Sequence, residues 1–366
     1  MTENGTCVVA LDVMGADHGP QPIIDGGIAA ANLLGSGVHV IFVGRKEQIE
    51  KILAQTKAVP SNVSIHHAET EVTMHISATD GVKMRDSSIA EGARLVKTGK
   101  AHAFVSPGNT GAVMATSLLT LGRIEGVSRP AIAAAFPTST GKPTLVLDVG
   151  ANADCKPHHL SQFAVMGSVY SQILFDYEKP RVGLLSIGEE RSKGNELIFG
   201  AHELLKTSKI NFVGNVEGRD IMMGEVDVVV TDGFTGNILL KFAESVQPML
   251  GRWTKRQIDT NIFSRIAVYM MLPFVKRIKR WLDYAEAGGA PLLGVNGIVI
   301  ICHGASNARA ITNGVRIAHD MHVKKVRERI HDELITNHFG LTNGSKDKRE
   351  DNGDRVIYAA DSDDKR

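Results

Sequence analysis

The sequence predicts an α/β protein, a three-layer α/β/α sandwich built on a largely parallel sheet. Three observations predict it. Short apolar, β-branched runs alternate with helical patterns from residue 7 to about residue 321, the rhythm of βαβ units with helices on both faces of a sheet. That rhythm breaks once, between about residues 243 and 287, where a long helical pattern carries no strand. Two strand-to-helix junctions also look like copies of one device: residues 101–112, AHAFVSPGNTGA, and residues 226–237, VDVVVTDGFTGN. In them Gly108, Thr110 and Gly111 match Gly233, Thr235 and Gly236.

Taken in order, the first strand is residues 7–13, CVVALDV, ending at Met14, Gly15, Ala16 and Asp17 before an Ala- and Ile-rich helix from Ile23. Further strands are predicted at residues 38–43, 63–66, 102–106, 144–149, 182–186, 211–213, 226–231 and 299–301. Residues 1–344 then make a single α/β/α domain of two intertwined halves carrying a helical insertion at about 243–287. Residues 345–366 are rich in Asp, Lys and Arg, too polar to bury, and are predicted to be a disordered charged tail.

Composition narrows the function classes. Lys plus Arg number 41 against 40 acidic residues among 366, so no global field points to nucleic acid. Cys7, Cys155 and Cys302 are far apart with no C-x-x-C spacing, which argues against a disulfide framework or a zinc knuckle and fits a reducing cytoplasm. The amino terminus lacks a basic n-region and meets Asp12 within its first apolar run, unlike a signal peptide, and no stretch approaches the roughly 18 apolar residues of a membrane span.

A strand that opens through glycines into a helix aims backbone N–H groups and a positive dipole end at whatever sits there, so both junctions predict an anion site. Such sites in open α/β sheets lie at strand carboxyl ends, and two copies are expected to line one cleft between two related halves.

Several long motifs in fixed order carry a resemblance. They are DVMGADHGP from Asp12, SPGNTGA from Ser106, LVLDVGANADCKP from Leu145, IGEERSKGNE from Ile187, NFVGNVEGRD from Asn211 and TDGFTGN from Thr231. Over about residues 7–321 the chain resembles the bacterial phosphate acyltransferases, the acyl-acyl-carrier-protein:phosphate acyltransferases of phospholipid synthesis. It departs from the family's pattern at Val13–Asp17, at Ser106–Asn109, at His303–Ser306 and in the reversed order of Lys83 and Arg85. The resemblance implies an isocitrate/isopropylmalate-dehydrogenase-like fold, a homodimer, and transfer of a fatty acyl group from acyl carrier protein to inorganic phosphate. The acyl phosphate would be consumed by a membrane glycerol-3-phosphate acyltransferase.

That chemistry needs a pocket for a dianion, donors for a developing oxyanion and a thiolate able to depart. A thiol of pKa about 8.5 needs little help from a strong acid. Direct attack by phosphate also requires no protein nucleophile, and no G-x-S-x-G elbow occurs. Asn109, Asn152 and Asn237 each follow a strand, where their amides are expected to donate to phosphate or to the thioester oxygen. Lys193 is the expected cation on phosphate, and His303 or His18 an orienting or proton-shuttling group. The catalytic candidates are thus Lys193, Asn237, Asn109 and His303. The motifs set Asp12, Gly15, Ser106, Gly108, Thr110, Gly111, Asn152, Lys156, Asn195, Asp232, Gly233, Thr235 and Gly236 around the substrate. Asp148, Asp154 and Asp232 repel a bare phosphate, and capping of loop N–H groups is their default role. Cys155 reads as a small buried filler. No cofactor and no metal site is expected.

The insertion reads NIFSRIAVYMMLPFVKRIKRW over residues 261–281, with Phe263, Ile266, Met270, Phe274, Ile278 and Trp281 on one helical face. It carries Arg265, Lys276, Arg277, Lys279 and Arg280 and no acidic residue. Such a basic amphipathic helix suits an anionic membrane surface, a dimer interface or the acidic acyl carrier protein, and Pro273 should kink it. Three competing functions remain: a nicotinamide-dependent dehydrogenase, a short-chain phosphotransacetylase, and a non-catalytic membrane scaffold for lipid-synthesis enzymes. P-loop phosphotransfer is disfavoured because no G-x-x-x-x-G-K-[ST] occurs.

Overall fold

A computed structural model describes residues 5–258, 271, 274 and 288–337. Eleven strands form one sheet in the order β3-β2-β1-β4-β11-β10-β5-β6-β9-β7-β8. In chain order they are β1 Cys7–Asp12, β2 Val38–Gly44, β3 Val63–His67, β4 Ala103–Ser106, β5 Ala131–Phe136, β6 Thr144–Leu147, β7 Val182–Leu185, β8 Phe212–Val216, β9 Val228–Val230, β10 Ala290–Leu293 and β11 Ile298–Ile301. The helices are α1 Gln21–Leu34, α2 Lys46–Gln55, α3 Ala78–Lys83, α4 Ser88–Lys97, α5 Thr110–Leu121, α6 Pro157–Leu174, α7 Glu196–Lys206, α8 Gly218–Met223, α9 Gly233–Ile258, α10 Ala308–Val323 and α11 Val326–Thr336.

Every strand predicted from the sequence is present, with ends displaced by a few residues. Two strands escape prediction, β5 and β10. The first is alanine-rich, AIAAAF, and the second is four residues containing a proline, APLL. Neither carries the β-branched signal on which strand prediction rests. Both lie in the middle of the sheet, and they change its topology. The pairs β11–β10, β10–β5 and β5–β6 are antiparallel, whereas the others are parallel. Three reversals in series mean that β6, β9, β7 and β8 run opposite to β1, β2, β3, β4 and β11.

Alternate residues of a strand face opposite sides of its sheet. Cys7, Val9 and Leu11 of β1 join a core beneath α1, α6, α10 and α11, while Val8 and Ala10 join a second core beneath α4 and α5. Both faces are therefore covered, which is why β1, β6 and β9 are apolar at nearly every position rather than alternating. The predicted three-layer sandwich is what these two cores describe. Most of the basic amphipathic segment, including Phe263, Ile266, Met270, Lys276, Arg277 and Trp281, lies outside the described residues, as does the charged tail. Phe274 is described and is exposed.

Candidate functional site

The polar groups at the carboxyl ends of the strands gather into two clusters, each built round a fully buried aspartate. In the first, Asp12 closes β1 beside the end of β4. Ser106 Oγ donates to Asp12 Oδ2 at 2.7 Å, the Met14 N–H donates to Asp12 Oδ1 at 3.0 Å, and the Gly108 N–H donates to Ser106 Oγ at 3.0 Å. Gly15 and Gly108 touch backbone to backbone: a Cβ on Gly15 would stand 2.6 Å from Gly108 Cα. Thr110 and Gly111 are the first residues of α5, whose N-cap is Asn109. Asn109 Oδ1 accepts the Ala112 N–H at 3.0 Å, and its Nδ2 donates to the carbonyls of Met74 and Ile76, both at 3.1 Å. Both amide hydrogens are thus spent. Here Asn109 caps a helix and ties residues 74–76 to it. His303 is exposed near this cluster, its Nδ1 accepting the Ala305 N–H at 3.1 Å.

The second cluster surrounds Asp148 at the carboxyl end of β6, beside β9 and β7. Asp148 Oδ1 accepts N–H groups from Ile132, Gly150 and Ala151 at 3.0, 3.1 and 3.0 Å. Its Oδ2 accepts the Asn152 N–H at 2.7 Å and Asn152 Nδ2 at 2.8 Å. Burial pushes this carboxyl above the usual carboxylate range, while the donors pull it back. Five N–H groups aimed at two oxygens leave no place for a proton, so the ionised form fits the site. Asn152 Nδ2 also donates to the Pro130 carbonyl at 2.7 Å. With both hydrogens used, Asn152 holds the loop.

The glycine turn after β9 packs on the same loop. A Cβ on Gly236 would stand 1.8 Å from the Asp148 carbonyl oxygen, and one on Gly233 2.7 Å from Asp148 Oδ2. The Gly233 N–H donates to the Asn152 carbonyl at 2.7 Å, and Asp232 accepts both the N–H and the hydroxyl of Thr235, at 2.8 and 2.9 Å. Asp232 is therefore a helix cap, the default role assigned to it, and its carboxylate occupies the positive end of α9. In the first cluster the corresponding cap on α5 is Asn109, while Asp12 accepts the Met14 N–H of its own loop and the Ser106 hydroxyl.

Three polar side chains at the second edge are not consumed in this way. Asn237 is half-buried, with its carboxamide carbon 3.6 Å from where a Cβ on Gly150 would stand. Lys156 and Lys193 are exposed, and among the described residues neither forms an ion pair. Lys156 immediately precedes α6, Lys193 sits in the loop between β7 and α7, and Asn195 Oδ1 caps α7 through the Ile198 N–H at 3.0 Å. Because β6, β9 and β7 are neighbours running in one direction, Lys156, Asn237 and Lys193 rise from one edge of the sheet. The hydrogen bonds do not gather the first cluster into this edge, so the expected single cleft lined by both glycine turns has no support in them. Sequence reasoning also missed the kinship of the two buried aspartates, although Leu-Asp-Val recurs at residues 11–13 and 147–149.

Cys155 lies beside this edge but is no nucleophile. Burial first, then the charges of Asp148 and Asp232, push its thiol far above the ordinary range. At the opposite edge of the first half, Cys7, His102 and His322 approach closely enough to suggest metal ligands. The chemistry of the donors argues otherwise. His102 Nδ1 accepts the Val8 N–H at 2.8 Å, so in the neutral ring Nε2 carries the proton. The two rings stack at 4.1 Å with planes 19° apart.

The comparisons agree with this architecture. A phosphotransacetylase from Streptococcus pyogenes superposes with a TM-score of 0.60 at 17% identity, over 87% of this chain and 95% of that one. A 4-hydroxythreonine-4-phosphate dehydrogenase from Klebsiella pneumoniae superposes with a TM-score of 0.52 at 14% identity, over 88% and 99%. At such identities the likeness is one of fold, and it bears out the dehydrogenase-like sandwich. A protein from Trichlorobacter lovleyi named phosphate acyltransferase is 47% identical over 334 residues, 91% of this chain and 96% of its own. Another of that name from Geobacter sulfurreducens is 45% identical over 329 residues, 90% and 94%. The profile of the fatty acid synthesis protein family matches residues 7–329. With agreement at this level along nearly its whole length, the chain belongs to the fatty acid synthesis protein family, among the phosphate acyltransferases, and is a transferase.

Proposed function

We propose that the protein transfers a long-chain fatty acyl group from acyl carrier protein to inorganic phosphate, at the edge formed by β6, β9 and β7. The observation that carries this assignment is the set of Lys156, Lys193 and Asn237, polar groups left unspent at one edge of the sheet: Lys156 follows the loop that Asp148 gathers, Asn237 stands in the first turns of α9 against Gly150, and Lys193 rises from the turn between β7 and α7. Two lysines favour a phosphate dianion; a carboxamide donor suits the oxyanion that develops on the thioester carbonyl. A phosphate oxygen attacks the carbonyl carbon, the new C–O bond forms, and the C–S bond breaks. Monohydrogen phosphate brings one proton, and the departing thiolate takes one up, so the reaction balances without a protein acid. Catalysis is then positioning and electrostatics, which preorganised loops supply.

We further propose a homodimer and peripheral attachment to anionic membrane, in a cytoplasmic enzyme that hands acyl phosphate to a membrane glycerol-3-phosphate acyltransferase. What supports a docking face is the outer row of α9: Phe234, Ile238, Phe242, Met249 and Trp253 are 59, 56, 68, 56 and 61% exposed. No helix among the described residues is long and apolar enough to cross a membrane. Sedimentation and flotation with anionic vesicles test the two proposals separately.

The activity is tested by phosphate-dependent release of thiol from palmitoyl-acyl carrier protein, with hydroxylamine trapping the acyl phosphate. Wild type should release thiol only with phosphate, and Lys193→Ala should lose about 10²–10³ in rate while remaining folded. Release without phosphate would mark a thioesterase. No release from either acyl carrier protein or acyl-coenzyme A would sink the assignment.

A further inference from the structure

We infer that Asn215 is a positioning residue for Lys193, acting through the turn that carries the lysine. Asn215 lies on β8, the edge strand, opposite Leu184 of β7, and is only 6% exposed. Its Nδ2 donates to two carbonyls of the loop between β7 and α7, Glu190 at 3.0 Å and Lys193 at 3.1 Å. The Lys193 N–H closes the same turn on the Glu190 carbonyl at 2.9 Å. One buried amide thus pins both ends of the turn from below. From above, the stem of Lys193 rests on Gly188, where a Cβ would stand 2.8 Å from Lys193 Cγ. The turn is thus held, and with it the point and direction from which the Lys193 side chain departs.

The amide cannot face the other way, because its oxygen would then meet two carbonyl oxygens. A residue kept for stability alone would also not be chosen at this cost: Asn215 Oδ1 is buried without a hydrogen-bond partner, as is Ser186 Oγ beneath the same loop. Ser186 Oγ lies 3.2 Å from where a Cβ on Gly194 would stand, the residue after Lys193. The polar floor under this turn therefore consists of Asn215 and Ser186, with Asn215 making the bonds that set the lysine's place.

This inference rests on the assignment of Lys193 to the phosphate. Its test is a double-mutant cycle on the full chain, with steady-state kinetics in phosphate and in palmitoyl-acyl carrier protein. Asn215→Asp keeps the shape but sets lone pairs against both carbonyls, and Asn215→Ala removes the donors without adding charge, should the first variant fail to fold. The folded variant should raise KM for phosphate about tenfold or more, since misplacing a binding group by about 1 Å costs up to a hundredfold. KM for the acyl thioester should stay unchanged. In a Lys193→Ala background the same substitution should change nothing further, because the group it positions is gone. Equal losses in both backgrounds, or an unmoved phosphate KM, would overturn the inference. Full activity in Lys193→Ala would instead overturn the site assignment on which it stands.

Discussion

Replacing Asp148 by asparagine removes one charge and one acceptor from the centre of the second cluster while keeping the side chain's shape. Its cost follows from the donors. If the new carboxamide oxygen stands where Oδ1 stands, the N–H groups of Ile132, Gly150 and Ala151 keep their acceptor. The new NH2 then faces the N–H and Nδ2 of Asn152, and two buried donors lose their partner. The opposite orientation orphans three, so the first is preferred. At about 1–3 kcal/mol for each orphaned donor, Asp148→Asn should lose about 2–6 kcal/mol of stability. Asn152 can turn its own amide to accept from the new NH2, but only by giving up the Pro130 carbonyl, which keeps the loss toward the lower bound rather than removing it. Against a typical total of about 5–15 kcal/mol this is a large fraction. Urea unfolding of both proteins, followed by far-ultraviolet circular dichroism, measures it. A loss below about 1 kcal/mol would refute the claim that the carboxylate is ionised and satisfied by five N–H groups.

Gly236→Ala should be worse tolerated than most glycine substitutions, since its Cβ would stand 1.8 Å from a backbone oxygen; a loss above about 3 kcal/mol in the same assay is expected. Asn109→Ala should cost about 1–2 kcal/mol as a lost helix cap, with a modest change in kcat, whereas Asn237→Ala should lower kcat about 10²–10³-fold with little change in the melting temperature. A matched loss of rate in the two variants would place Asn109 beside Asn237 in the catalytic set. Burial lowers the pKa of His102 and His322, so the unfolded chain binds more protons below its ordinary imidazole value of about 6.5. Their contribution to stability is thus complete above that pH and lost as pH falls below it. His322→Gln should show a shallower decline in melting temperature between about pH 7 and pH 5 than wild type.

Most of the fold is legible because buried strands in this protein announce themselves twice, through β-branched runs and through the glycines that end them. What is not legible is the middle of the sheet. Alanines in β5 and a proline in β10 carry no strand signal, and only tertiary pairing with β6 and β11 makes them strands. Without them the reversal of direction between the two halves stays hidden. At the site, the sequence marks the glycine turns but not their occupant. Gly233 and Gly236 are required by the close approach of residues 148–152, a contact between segments some 80 residues apart that no local pattern encodes. Motifs point to Lys193 and Asn237, whereas Asn215 stands within a motif without a visible role, because its use depends on which loop lies over β8.

The two clusters show why a glycine turn at a strand end is an ambiguous sign. Its geometry specifies converging N–H groups, and any acceptor satisfies them, including a side chain of the turn itself: Asn109 in one half and Asp232 in the other. Beside each turn stands an internal carboxylate that gathers the N–H groups of its own loop, Asp12 in one half and Asp148 in the other, both fully buried and each following a leucine at a strand end. An internal anion has a mechanical consequence that a bound phosphate lacks: it never dissociates, so the loops it gathers keep their shape when the substrate leaves. Side chains standing on such loops need little reorganisation at each turnover, and in a direct displacement with no covalent enzyme intermediate that saving is the main thing a protein can offer. On this argument Asp148 contributes to rate without touching substrate. Its removal should therefore slow the folded enzyme through the placement of Asn237 and Lys156 together, unlike Asn215, whose influence is confined to Lys193.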